Sequence, residues 1–513
     1  TTFWHICRQK NKSLPNYKIN DSVVNGEYGY PILPHYLVSL FPKPFWGLVG
    51  RFLNAFYDIL TAIFVYFLTS FVSKELGIQF EVAGLSVPII ATLLFLTTPI
   101  LFLSSSRMKT IKGRSIGLPL TTGYFFSLFI GMYYDNWFIL FFVVLFSLLA
   151  FLSSQFAMQV IIFFSLILSL LMLDIFPLVG LLTSMLIIQL IPCVGAKRTF
   201  NFWLNHKIWY SKNVERTAAM GRNQLKDFLL LPKYLFMDPK NFFYLCTYKL
   251  TPVVLLFSVP SLVFLSWIFA SGIISLEVIL QNELLRFLFS ILLCSILMFI
   301  VTSFGVFKIF GEAERYFEYS SHVLAILVSL MFGIFSNIDP SYIFVLFFIQ
   351  LGIICYIFVI FNYESFMRSA PKYPLELEEI NDWLEKNKKK SDVVFTIPCK
   401  LSFLLSTIHK LKYEHAPFLT YYRFVSTKKD PSFQYFDKDM GGYYPVAFGY
   451  LTHSIEMYKL LPQKLHEKYK VNYFLIEKKA KAGVIKTWGE KEWQRITKGI
   501  VFENNKYWLV KLF

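Results

Sequence analysis

The sequence predicts a polytopic α-helical membrane protein followed by a soluble α/β domain. Three observations carry that expectation. Hydrophobic residues make up 55% of the 513, Phe alone contributes 57, only 16% are charged, and the mean hydropathy is +0.51. Ten apolar segments of roughly membrane length recur before residue 362. Beyond it, short strand-like stretches alternate with polar loops.

The ten segments are 52–72, 85–103, 117–133, 136–152, 156–173, 176–195, 252–273, 286–307, 323–336 and 341–361. Segments 136–152 and 323–336 are short for a bilayer core, so a tilted, buried or re-entrant path is expected for them. The chain starts at Thr1 without an initiator Met or a signal-peptide pattern, so an eleventh helix is expected upstream. Together these place a multi-span domain over 1–361, including a first loop 1–50 and a basic loop 196–250, and a soluble domain over 362–513. In the latter, "DVVFTIP" (392–398), "VNYFLIE" (471–477) and "IVFENNKYWLVKLF" (500–513) read as strands, the last as a hairpin turning on Asn504–Asn505.

Cys7, Cys193, Cys246, Cys294, Cys355 and Cys399 show neither a disulfide framework nor metal spacing, and the eight His are scattered. No metal site resting on His or Cys is expected. A divalent cation held by carboxylates stays open as a cofactor.

The net charge of +17 calls for an explanation. Loop 196–250 carries ten Lys/Arg against three acids, interleaved with Trp203, Trp209 and Tyr210, and a second basic stretch, "SRMKTIKGRS" (106–115), lies between two spans. Cations mixed with aromatics suit a membrane interface, where they meet lipid phosphates. The aromatics lie among membrane spans, which argues against nucleic acid as the partner. If all ten segments span, parity puts the first loop, loop 104–116, loop 196–250, the 311–322 stretch and the C-terminal domain on one side. Positive-inside would make that side cytoplasmic, whereas a site for an anionic lipid substrate would make it extracytoplasmic.

Two stretches on that side carry candidate chemistry. In "GEAERYFEYSSH" (311–322), read as a membrane-edge loop, helical spacing gathers Glu314, Arg315, Glu318 and His322 on one face, with Glu312 beside them. A solvated helix end with Arg315–Glu318 pairing is the plainer alternative. The first loop contains "NGEYGYPILPHYLVSLFP" (25–42), whose glycines and prolines predict an ordered loop leading into a helix from about His35. Glu27, Tyr28, Tyr30 and His35 line it. Asp58 is the sole carboxylate inside any of the ten segments and needs a cavity or a partner such as Arg51.

The loop "YGYPILPHYLVSLFP", the many Phe-rich spans, the interfacial basic helices and the ending "VNYFLIE…IVFENNKYWLVKLF" together resemble a GT-C class membrane glycosyltransferase. "GEAERYFEY" is similar to a segment of related bacterial surface-polysaccharide enzymes. The resemblance implies inverting transfer of a sugar from a polyprenyl-phosphate-linked donor to a glycan, lipid or protein acceptor on the extracytoplasmic face, with an Asp or Glu of the first external loop as base. In that class the acid often precedes a segment like "TTFWHI" (1–6). Either it lies upstream of Thr1, or another carboxylate replaces it, or the chain is inactive. Glu27 and Asp58 are the catalytic candidates in this sequence. His5, Tyr30, His35, Arg51, Glu312, Glu314, Arg315 and Glu318 are candidates for substrate contacts, and Arg107, Arg114 and Arg315 for the lipid phosphate. A polymerase or a flippase of lipid-linked oligosaccharides is the competing expectation. No clear internal repeat supports a transporter.

Overall fold

The computed structural model describes residues 27–28, 31, 33–42, 45–103, 113–190, 231–237, 258–303, 305–311, 313–335, 337–367, 375–389, 392–397 and 460–513. It also describes positions 197, 199–201, 203–204, 207 and 401 and the strand pairs at 421–422, 425–426 and 451–452. Contacts divide the chain into two compact units. One comprises Thr1–Tyr30, Leu204–Ala218 and Ser365–Phe513, the other Pro31–Trp203 and Ala219–Glu364.

The second unit is helical. Its elements are α1 (Leu33–Ser39), α2 (Trp46–Glu75), α3 (Val87–Leu96), α4 (Ile100–Leu103), α5 (Gly113–Tyr133), α6 (Leu140–Ser153), α7 (Gln155–Met172), α8 (Phe176–Leu190), α9 (Leu231–Met237), α10 (Pro260–Ala270), α11 (Leu276–Gln281), α12 (Glu283–Ser303), α13 (Arg315–Ile334) and α14 (Ser341–Met367). Among the described residues six helices are long and apolar enough to cross a membrane: Leu48–Glu75, α5, α7, α12, α13 and Ser341–Val359. Shorter apolar helices cover Val87–Phe102, Trp137–Ser153, α8 and α10. Helices thus fall within all ten apolar segments, and six reach spanning length.

The segment expected at 323–336 is not short. Its helix starts eight residues earlier, at Arg315, and runs for 20 residues. Residues 315–322 are therefore the first turns of a long apolar helix, buried from Tyr316 on, and not a membrane-edge loop. Segment 136–152 does remain short, as Trp137–Ser153. The helix expected from His35 begins at Leu33, because Pro34 in the first turn removes an N–H that has no intrahelical partner there.

Helix α13 is the hub of this unit. Every residue from Tyr316 to Phe332 is buried, and α2, α3, α10 and α12 pack around it. The start of α5 approaches closely enough that glycine is required twice. A Cβ on Gly113 would lie 2.2 Å from the Ser153 carbonyl oxygen, and one on Gly117 would lie 2.7 Å from the Ala157 Cβ and 2.9 Å from the Tyr319 hydroxyl. Helix α14 is much less covered and keeps an apolar face of Val345, Phe348, Ile349 and Val359 exposed. Its fully buried Gln350 accepts a hydrogen bond from Thr97 Oγ1 at 2.8 Å and donates to Ser261 Oγ at 2.6 Å. A buried amide in apolar surroundings has to be satisfied in this way, so Gln350 pins α14 to its neighbours.

The other unit is built on a four-stranded sheet. Strands β1 (Val393–Ile397), β2 (Val471–Glu477), β3 (Ile500–Glu503) and β4 (Tyr507–Lys511) lie in the order β1-β2-β4-β3, with β1 parallel to β2 and the other pairs antiparallel. Helix α15 (Leu375–Asn387) covers one face, packing Leu377, Ile380 and Leu384 on Val394, Tyr473, Leu475 and Leu509. Helices α16 (Pro462–Tyr469), α17 (Lys481–Trp488) and α18 (Glu490–Lys498) cover the other with Leu465, Val484, Trp488, Trp493 and Ile496 on Phe395, Phe474, Ile476 and Val510. Both faces being covered explains the near-continuous apolar run of β2. The β3–β4 turn rests on Asn504, whose Oδ1 accepts from the backbone N–H of Lys506 and Tyr507 at 3.2 and 3.0 Å. Two short antiparallel pairs complete the unit, Glu27–Tyr28 with Val425–Ser426 and Tyr421–Tyr422 with Leu451–Thr452.

Candidate functional site

Several charged and polar side chains of the helical unit gather where α13 begins. Glu318, in the first turn of that helix, is 2% exposed and accepts a hydrogen bond from Arg114 Nη1 at 3.2 Å. Arg114 lies in the first turn of α5 and is 16% exposed, so the pair joins two helices whose contact residues are 204 apart. Tyr319 reinforces the junction by donating from its hydroxyl to the Arg114 carbonyl at 3.4 Å.

Phe156 forms the floor of this cluster. Its ring centroid lies 5.0 Å from that of Tyr316 and 5.6 Å from that of Tyr319, and the Arg315 guanidinium carbon is 6.0 Å away. The placement begins locally. Ser154 caps α7, its hydroxyl accepting from the N–H groups of Phe156 and Ala157 at 3.2 and 3.4 Å, and this turns Phe156 and Gln159 toward α13. Gln159, 1% exposed, donates to the Phe310 carbonyl and the Tyr316 hydroxyl and accepts from Trp203 Nε1 at 3.4 Å. Tyr316 donates in turn to the Phe310 carbonyl at 3.0 Å, and Ser295 of α12 donates to the Tyr316 carbonyl at 3.2 Å. Gly311, at φ +111°, carries the chain past Phe156, where a Cβ would sit 3.0 Å from the ring.

Chemically, the cluster pairs the Arg114 guanidinium with the Glu318 carboxylate, with Arg315 against the Phe156 ring and Glu314 just ahead of α13. Cations held in low dielectric attract an anion more strongly than they would in water. A carboxylate already paired with arginine orients that arginine and accepts hydroxyl donors with its remaining lone pairs. Among the described residues, no three His, Cys, Asp or Glu side chains converge on a metal position.

The structure thus brings together four of the residues anticipated from sequence: Arg114, Glu314, Arg315 and Glu318. Glu318 pairs with Arg114 from a distant helix, where sequence spacing pointed to Arg315. Asp58 is half-buried on α2, two turns beyond Arg51, and His35 lies on α1. Glu27 lies opposite Ser426 in a short strand pair of the other unit. His5, Tyr30, Arg107 and Glu312 fall outside the described residues, as do most of the lysines and arginines of loop 196–250. Trp203, expected among the interfacial aromatics of that loop, is instead 8% exposed and packs on Gln159. Gln159, Tyr316 and Tyr319 are members of the cluster that sequence reasoning missed. The available signal was Gln155 and Gln159, four apart in an otherwise apolar run.

No protein-family model and no curated protein matches the sequence. Among solved structures the chain is similar to the oligosaccharyltransferase of Archaeoglobus fulgidus. Its complex with Zn and sulfate aligns at 13% identity with a TM-score of 0.43, over 96% of this chain and 65% of that one. The same enzyme tethered through a disulfide bond to an acceptor peptide containing the NVT sequon aligns at 12% identity with a TM-score of 0.49, over 96% of this chain and 67% of that one. The chain therefore spans about two thirds of the length of these neighbours.

Proposed function

We propose that the protein is a membrane glycosyltransferase that moves a sugar from a polyprenyl-phosphate-linked donor to a glycan, lipid or protein acceptor. The observation that carries this reading is the buried Arg114–Glu318 pair with Arg315 one turn away, at one end of an apolar helical unit. An apolar bundle that keeps guanidinium groups at its edge suits a ligand with an apolar tail and an anionic head. In the transfer, the acceptor hydroxyl attacks the anomeric carbon and gives its proton to a carboxylate, while the bond from the sugar to the lipid phosphate breaks. The departing phosphate takes the electron pair, and arginine stabilises it. Glu27 is the base candidate that the sequence favours, and Asp58, on the same helical unit as the arginines, is the second candidate. Arg114 and Arg315 hold the phosphate, and Glu314 and Glu318 orient them or bind sugar hydroxyls.

The test uses the purified full chain and a polyprenyl-phosphate-linked sugar. Glu27→Gln keeps size and hydrogen bonding but cannot take the proton, so turnover should fall by about 10²–10⁴ with donor binding nearly unchanged. Arg315→Gln should weaken donor-analogue binding by about 1–3 kcal/mol, the range for a charge-assisted contact. Near-normal turnover in the first variant removes Glu27 as base. Movement of intact lipid-linked oligosaccharide across vesicles without sugar transfer would replace the enzyme with a flippase.

A further inference from the structure

The two helical layers of the sheet-containing unit carry opposite charge. On the outer side of the α16–α18 layer, Lys464 and Lys468 of α16, Lys479 and Lys481 at the start of α17, and Lys491 and Lys498 of α18 are exposed, against the exposed acids Glu467 and Glu490. Among the described residues no ion pair involves any of the six lysines, while Arg495 of the same layer pairs with Glu492 at 3.3 Å. Across the sheet, α15 carries Glu376, Glu378, Glu379, Asp382 and Glu385 with a single Lys386.

Core packing does not call for this segregation, since the inward sides of α16–α18 are already occupied by Leu465, Val484, Trp493 and Ile496. Six lysines with few neighbouring acids repel one another, and an external polyanion relieves that repulsion. We infer that the outer side of the α16–α18 layer is a docking surface for anionic phospholipid headgroups. The chain itself argues for that partner. Only seven residues separate Met367, the end of the last apolar helix, from Leu375 at the start of α15. Seven extended residues reach at most about 25 Å. Lipid phosphates are therefore a polyanion held at high local concentration beside this unit, whatever else is in solution.

The experiment places the full chain in nanodiscs of phosphatidylcholine, with or without phosphatidylglycerol, and measures acylation of each lysine by mass spectrometry. Labelling at the six lysines should fall several-fold in the anionic discs and recover at high salt, where screening shortens the reach of surface charge. Lys386 and Lys506, which lie toward the α15 face, should label equally in both. The combined variant Lys464→Glu, Lys481→Glu, Lys491→Glu and Lys498→Glu should abolish the lipid dependence at Lys468 and Lys479. All four positions are exposed, so circular dichroism should show an unchanged fold. Equal labelling of the six lysines in both discs overturns the inference. Protection that requires an added acidic polysaccharide or nucleic acid, and is absent with anionic lipid alone, overturns it in favour of that polyanion.

Discussion

Glu318→Gln removes the buried carboxylate that accepts from the Arg114 guanidinium at 3.2 Å. Breaking a buried ion pair from one side typically costs about 3–5 kcal/mol, whereas replacing both partners with apolar groups of similar volume is often neutral. The expected result is a marked fall in the thermal midpoint for Glu318→Gln or Arg114→Gln in detergent, and substantial recovery in Arg114→Met with Glu318→Leu. Equal midpoints for the single variants and the native chain would mean that the pair holds nothing together. Sequence reasoning singled out both residues yet gave them separate tasks, the arginine to a lipid phosphate and the glutamate to a sugar. Helical spacing reveals neighbours three and four apart, and Arg114 is on another helix altogether. Gln159 was invisible for a related reason. An amide in an apolar run looks incidental until Phe310, Tyr316 and Trp203 are seen to satisfy it.

At the scale of elements, the apolar runs made the helices legible and the strands followed from their residue types. What failed was the start of α13, because charged residues and a histidine ahead of an apolar run read as a loop when their buried partners are unknown. The sheet-containing unit offers a pH test of its own elements. Hydrogen bonding to Lys506 holds the Glu376 carboxyl below its ordinary value, and hydrogen bonding to Lys478 and then to Trp508 does the same for Glu503. A carboxylate depressed in the folded state contributes stability that is fully present above its unfolded pKa of about 4.5. That contribution is lost as pH falls through the lower folded value. Lys478→Gln and Lys506→Gln should therefore lower hydrogen-exchange protection of the β3–β4 hairpin near neutral pH, and the difference from the native chain should close once the pH lies below the lowered folded values of Glu376 and Glu503. A difference that stays constant down to that pH would assign the effect to packing of the lysine stems rather than to the ion pairs.

For the molecule as a whole, alternation of all ten apolar segments would give the two ends of the bundle different charge. The Tyr133 hydroxyl donates to Glu75 at 2.9 Å where α2 and α5 end, and Trp137 meets Phe176 with ring centroids 5.2 Å apart at the neighbouring turns. The turns assigned to that end by alternation carry Glu75, Glu81, Asp135, Asp174, Glu277, Glu283 and Asp339 against Lys74 and Arg286. The same alternation would assign Arg114, Glu318 and the basic sequence 196–250 to the opposite end. The order of spans and then an α/β domain could be read from sequence. The pairing of Glu27–Tyr28 with Val425–Ser426 could not, since two-residue strands some four hundred positions apart leave no local pattern. Orientation is where the physical rules pull apart. Positive-inside would turn the basic end toward the cytoplasm, while a glycosyltransferase using a polyprenyl-phosphate donor of the kind proposed works on the extracytoplasmic face. The function predicts the second arrangement, with residues 363–513 outside. In a variant whose native cysteines are replaced, Asn505→Cys in the exposed β3–β4 turn should react with a membrane-impermeant thiol reagent on intact cells, and Glu277→Cys only after lysis. The reverse pattern would put the basic end in the cytoplasm and remove the extracytoplasmic reaction from the proposal. It would leave the lipid-docking surface intact, because anionic headgroups can meet α16–α18 from either leaflet.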